Sequence, residues 1–99
     1  MPKRPVKLGP EAVRHFKALS AAERSRLRGV MRAALSEDDA GVENRNRFRL
    51  RRPSGQSEFE LRDGDLRVFY RLEDEEVIVD AIGRKRGNQL FIAGRRITL

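Results

Sequence analysis

The chain has no cysteine and no tryptophan, and only one histidine and one tyrosine. Without cysteine there is no disulfide, no thiol nucleophile and no thiolate-bound metal. A single histidine, His15, cannot build a histidine metal cluster, and any Ser-His-Asp triad would have to run through it. No glycine-rich phosphate loop of the P-loop or dinucleotide type is present, and nothing in the sequence asks for a metal or a cofactor. No run approaches the ~20 apolar residues that a membrane-crossing helix needs. Basic residues stand near the start at Lys3-Arg4 with no apolar run behind them, which argues against a secretory signal. A reducing, cytoplasmic setting is the expectation; the lack of cysteine permits it without demanding it.

What is present fits one domain over residues 1–99, with 38% hydrophobic and 37% charged residues. The apolar residues are grouped, so a small core can form despite the high charge. Net charge is +7, and it is uneven. Residues 1–57 carry a balance of +8, residues 58–80 of −6, and residues 81–99 of +5. Of the 22 basic residues 18 are arginine, whose planar fork of donors matches a pair of phosphate oxygens and stacks on bases. The stretch 44–52 holds five arginines and no acid, so Arg45, Arg47, Arg49, Arg51 and Arg52 are candidate nucleic-acid contacts. Their alternation with Phe48 and Leu50 equally fits a half-buried segment whose arginines simply face water. Arg84-Lys85-Arg86 and Arg95-Arg96 are further clusters. Nucleic acid or a strongly acidic protein is the expected partner.

Periodicity predicts an α+β fold. Residues 5–8 read as a short strand ended by Gly9-Pro10, and Pro10 suits the first helical position. Ala12, Val13, Phe16 and Leu19 repeat at helical spacing, with His15 read as a surface residue among polar positions. Ser20-Ala21-Ala22-Glu23 has the pattern of a capping box. Leu27, Val30, Met31, Ala34 and Leu35 then mark one apolar face. Two antiparallel helices over 10–19 and 21–36 are expected, the second fraying at the acidic 37–39. Residues 53–57 read as a loop. From residue 58 the pattern alternates, with turns at Asp63-Gly64 and around 73–76, giving a three-stranded antiparallel meander. Residues 77–82 form a nearly continuous apolar run, as in a strand covered on both faces. Tyr70 shares the apolar face of Leu66, Val68 and Leu72 and reads as core. The apolar tail 90–99 reads as an additional strand or hairpin, or as a segment lying against a partner.

Strand, two helices, then a meander is the element order of the RelE/ParE superfamily of bacterial type II toxins. Residues Glu60 to Tyr70, with Arg62, Gly64, Asp65, Leu66, Arg67 and Val68, resemble that family's hairpin. Residues Asp80 to Arg86 resemble its last strand and basic exit. The order of elements covers nearly the whole chain, and the residue-level likeness covers about 58–92.

The resemblance implies a toxin of a toxin-antitoxin system. Ribonuclease members cut mRNA on the ribosome without a metal: cations polarise the scissile phosphate and the 2′-OH attacks in line. The family's hairpin arginine corresponds to Arg67, and the basic residue after its last strand to Lys85, with Arg84 and Arg86 beside it. Paired lysines of the best-known nuclease fall on Glu58 and Glu60, and its C-terminal tyrosine on Phe91, so the acid and base stay unassigned. Arg67 also has a plain alternative, pairing across the sheet with Glu60 or Asp80. Three functions follow: a ribosome-associated mRNA endoribonuclease, a ParE-like inhibitor of DNA gyrase with no nuclease chemistry, or a non-toxic basic RNA-binding module. The implied partner is a cognate acidic antitoxin, drawn by charge and docking by strand addition.

Overall fold

The computed structural model describes residues 4–54 and 56–97, with side chains left undescribed for residues 52–54. Strand β1 (Val6–Leu8) leads into helix α1 (Pro10–Lys17) and helix α2 (Ala21–Met31), and α2 runs on into a π-helical segment, Arg32–Glu37. Six strands follow: β2 (Arg47–Ser54), β3 (Ser57–Asp63), β4 (Leu66–Glu73), β5 (Glu76–Arg86), β6 (Gln89–Ile92) and β7 (Arg95–Ile97). They pair antiparallel in chain order, while β1 joins β5 in parallel. The result is an α+β fold with two helices on a curled sheet.

Local chemistry explains the helix ends. Pro10 occupies the first turn of α1, and Glu11 lies on the favourable end of its dipole. Ser20 caps α2: its hydroxyl accepts the Glu23 N–H and the Glu23 carboxylate accepts the Ser20 N–H, both at 3.1 Å. Leu27, Met31 and Leu35 are buried at successive spacings of four. That spacing is underwound relative to 3.6 residues per turn, and the π segment absorbs the difference. The expected frayed end is therefore a wider helical turn, closed by an Asp38 N–H bond to the Ala33 carbonyl.

The core lies between the helices and one face of the sheet. Leu27, Met31 and Leu35 meet Phe59, Leu61, Leu66, Val68, Tyr70, Val77, Val79 and Ile82. Phe59 and Tyr70 stack with centroids 5.2 Å apart, and the Tyr70 hydroxyl donates to the Ala40 carbonyl at 2.8 Å. Burial pushes the Tyr70 phenol up to about 12, so this tyrosine is structural.

Four sequence expectations change. The meander is six strands wide, because the arginine-rich segment forms β2 and the tail forms the β6–β7 hairpin. Where a loop is expected over 53–57, residues 53 and 54 end one strand and Ser57 begins the next, with residue 55 outside the described residues. Strand β5 buries one face fully, whereas Ile78 and Ala81 on its other face are only half covered. His15 is 9% exposed, not a surface residue.

Strand β5 organises the sheet. Its inner edge pairs with β4 from Glu76 to Arg84. Its outer edge is divided, with β1 against Val77–Val79 and β6 against Gly83–Arg86. Between the two, Ile82 N–H donates to His15 Nδ1 at 3.1 Å. The outer edge of β2 is partly closed too: Arg49 N–H donates to the Glu43 carboxylate at 2.7 Å, and Asn44 N–H to the Arg47 carbonyl at 3.0 Å. No described helix is long and apolar enough to cross a membrane.

Candidate functional site

Register decides which side chains share a face. Across β3, β4 and β5 the partners are Glu60 with Phe69, Phe69 with Ala81, and Arg67 with Gly83. Because side chains alternate along a strand, Glu60, Arg67, Phe69, Ala81, Gly83 and Lys85 occupy the sheet face opposite the helices. On that face Glu60, Arg67 and Lys85 line one cleft of about 430 Å³, which the C-terminal hairpin closes with Leu90, Arg96 and Ile97.

Two candidate residues, Arg67 and Lys85, thus meet in one place. Neither makes a salt bridge among the described residues. Arg67 does not pair with Glu60 or Asp80. Its Nη1 donates to the carbonyls of Gly64 (2.7 Å) and Leu66 (2.9 Å), which pins the guanidinium to the Asp63-Gly64 turn. Three of its five N–H donors stay available to an anion. Glu60 is 8% exposed and its carboxylate is oriented by Arg62 Nε at 2.7 Å, while the Arg62 guanidinium stacks on Phe48 at 4.2 Å.

Gly83 sets the depth of the cleft. A Cβ at this position would stand 2.8 Å from the Phe91 carbonyl oxygen and 2.9 Å from Ile92 Cγ1. Only glycine lets β6 approach this closely and bring Leu90 over the cleft beside Lys85.

Arg84 and Arg86 go elsewhere. Arg84 pairs in register with Phe91 on the helix-side face, and both line a separate cavity of about 570 Å³ with Arg86 and His15. Arg84 is held by Glu23 at 2.6 Å and Asp65 at 2.7 Å. The Arg84 hydrogen bond, above all, lowers the Glu23 carboxyl from its ordinary value, and the same bond raises the Arg84 guanidinium. This arginine ties α2 to the β3–β4 turn and the β5 exit. Phe91, at the position where the resemblance expects a tyrosine, likewise lies outside the cleft.

The five arginines of the β2 region do not form one surface. Arg47 is 3% exposed, donating to the carbonyls of Val42 (3.0 Å) and Ala34 (2.7 Å) and to Asp38 (2.9 Å). Arg49 lies over the Phe59 ring at 4.6 Å. Arg45 and Arg51 are exposed, and the side chain of Arg52 lies outside the described residues. Glu58 accepts the Leu72 N–H at 3.3 Å, a bond within the sheet.

The resemblance leaves Glu60 without a role; its alternation with the core residues Phe59 and Leu61 is the signal that it faces away from the helices. Leu90 and Ile97 are cleft residues that nothing short of the hairpin register reveals. Among the described residues no three His, Cys, Asp or Glu side chains are grouped to hold a metal. No protein family, no curated protein and no solved structure matches this chain.

Proposed function

We propose that this chain is the toxin of a type II toxin-antitoxin system, of the RelE/ParE kind, and that it cuts mRNA on the ribosome in the cytoplasm without a metal. The observation carrying this reading is the convergence of Arg67, Lys85 and Glu60 on one cleft, with neither cation in a salt bridge among the described residues. Cleavage of RNA by its own 2′-OH needs an acceptor for the 2′ proton, positive charge at the phosphorane, and a donor to the leaving 5′-oxygen. Glu60 takes the proton from the 2′-OH as the 2′-oxygen–phosphorus bond forms. Arg67 balances the charge that builds on the non-bridging oxygens. Lys85 gives its proton to the 5′-oxygen as that bond breaks, leaving a 2′,3′-cyclic phosphate and a free 5′-OH. A positioned donor at such an oxyanion is worth about 10²–10³ in rate. The partner is an acidic antitoxin, attracted by the basic body of the domain.

One observation favours the gyrase reading. Phe91 and His15 lie away from the cleft, so no phenol or imidazole reaches it among the described residues. In that reading the same basic surface binds and poisons DNA gyrase without bond cleavage.

Induced expression distinguishes these readings. Growth arrest with transcripts truncated inside coding regions supports the nuclease. Growth arrest with double-strand DNA breaks and an SOS response transfers the proposal to gyrase. Normal growth leaves a basic RNA-binding module and overturns the toxin assignment.

A further inference from the structure

A second cavity, of about 330 Å³, adjoins the cleft on the same sheet face and shares Ile97 with it as a common wall. Phe69, Ala81, Ile92 and Ile97 give it apolar walls, and Glu11, which pairs with Arg14, lines it from the start of α1. Asp80 stands at its rim. The pairing of β4 with β5 shifts register between Phe69–Ala81 and Tyr70–Val79, which makes Asp80 the extra residue of a β-bulge. Bulges re-aim a side chain out of the normal alternation. The aimed carboxylate is then fixed from two sides: Ser57 Oγ donates to Oδ2 at 2.8 Å and Arg71 Nη1 donates to Oδ1. Each oxygen keeps a further lone-pair direction. Ser57 is buried and Asp80 is half-buried, so the acceptor is preorganised at the edge of an apolar slot.

A largely apolar slot in which Ser57 and Arg71 fix the Asp80 carboxylate as an acceptor, next to a cationic cleft, has the layout of a nucleotide site: base in the slot, phosphate in the cleft. We propose that this cavity receives the nucleobase adjoining the phosphate held by Arg67 and Lys85, and that it selects bases with an exocyclic amino group (adenine, cytosine, guanine) over uracil. A carboxylate accepts the exocyclic amino N–H of these bases, whereas uracil offers it only N3–H, flanked by two carbonyl oxygens that repel the carboxylate. The proposal rests on the cleft being an RNA site, and it adds a base preference that the cleft alone does not give.

The test uses the full chain and three uncleavable 2′-O-methyl trinucleotides, of adenosine, cytidine and uridine, with affinities read by fluorescence anisotropy at fixed salt. The adenosine and cytidine probes are expected to bind about tenfold more tightly than the uridine probe. Asp80→Asn should reduce that ratio to about twofold or less, because the amide offers a donor to uracil. Ala81→Leu fills the slot, leaves Asp80 in place, and should erase the preference while retaining salt-dependent binding. Arg67→Ala should weaken all three probes alike and keep the ratio. Equal, salt-sensitive binding of all three by the unaltered chain overturns the base pocket and leaves the cleft reading standing. No binding of any probe overturns both. A preference that survives Asp80→Asn and Ala81→Leu in folded variants also overturns the pocket.

Discussion

Ile82 N–H donates to His15 Nδ1 at 3.1 Å, and this bond fills the place of a missing strand. Strand β1 ends its pairing at Val79 and β6 begins at Gly83, so among the described residues no strand pairs with the outer edge of β5 between them. The imidazole of α1 supplies the acceptor there. With Nδ1 accepting, the neutral ring carries its proton on Nε2.

Protonation of His15 should therefore loosen the α1–β5 contact. Burial, the largest influence, holds the imidazole below its ordinary value of 6.5; Glu11 raises it and Arg14 lowers it further. A base with a lowered folded pKa stabilises the fold fully above its unfolded value. That contribution shrinks as pH falls below about 6.5 and is gone once pH drops through the folded value. His15→Ala should cost about 1–3 kcal/mol at pH 7.5, because it leaves a buried N–H unpaired. Denaturant unfolding between pH 5 and 7.5 checks both effects: the variant's stability should vary less with pH than that of the unaltered chain.

Arg47 and Arg51, four residues apart on β2, should behave oppositely. Arg47 is sealed under the loop that precedes its strand, satisfying the Ala34 and Val42 carbonyls. Arg47→Ala should destabilise the fold by about 1–3 kcal/mol, since those buried acceptors lose their donor. Its effect on the salt dependence of RNA binding should be nil. Arg51 is exposed, so Arg51→Ala should leave stability within about 0.5 kcal/mol. Thermal melts and binding titrations on both variants separate the two roles.

These two arginines also show where the sequence stops being readable. Elements held by local chemistry were plain: the Ser20 box, Pro10 at a helix start, and the Asp63-Gly64 turn, whose glycine takes φ +58°. Alternation located β3, β4 and β5. Strand β2 was disguised because arginine occupies its alternate positions 47, 49 and 51, where a core-facing strand would carry apolar residues, and one of those arginines is buried on carbonyls that no pattern announces. His15 was misread from its polar neighbours, although it lies three residues after Ala12 and four before Leu19, on the buried stripe. Within the candidate site, Arg67 and Lys85 were legible through the resemblance. The diversion of Arg84 was not, because its partner Glu23 is 61 positions away and only the tertiary fold joins them.

Gly83→Ala should damage the cleft without touching a charged residue. The added methyl would meet the Phe91 carbonyl and Ile92 at contacts shorter than real Cβ atoms show, and the first of these is backbone. Strand β6 must then shift away from β5, moving Leu90 off the cleft. A loss of about 1–3 kcal/mol is expected from overpacking, with amide exchange faster in β6 and β7 than in β3 and β4. Uniformly faster exchange, or none, would show that the close approach of β6 is not what Gly83 provides.

Arg67 and Lys85 should prove to be energetically coupled. They stand on neighbouring strands, line one cavity together with Glu60 and make no salt bridge among the described residues, and the proposed site has a single phosphate contact both. Removing either one takes away part of the same electrostatic clamp, and the second removal then finds less to lose. The affinity of the Arg67→Ala, Lys85→Ala double variant for an uncleavable RNA should therefore exceed the value expected from adding the two single losses, with a coupling of about 0.5–3 kcal/mol. Each single variant should also lower the slope of log affinity against log salt by about one, as one fewer counterion is released. Because Arg67 bonds only to carbonyls of its own turn, its removal should shift stability by less than about 1 kcal/mol. Strict additivity with unchanged salt slopes would mean that the two cations serve different ligands, and the phosphate site would have to be sought on another face.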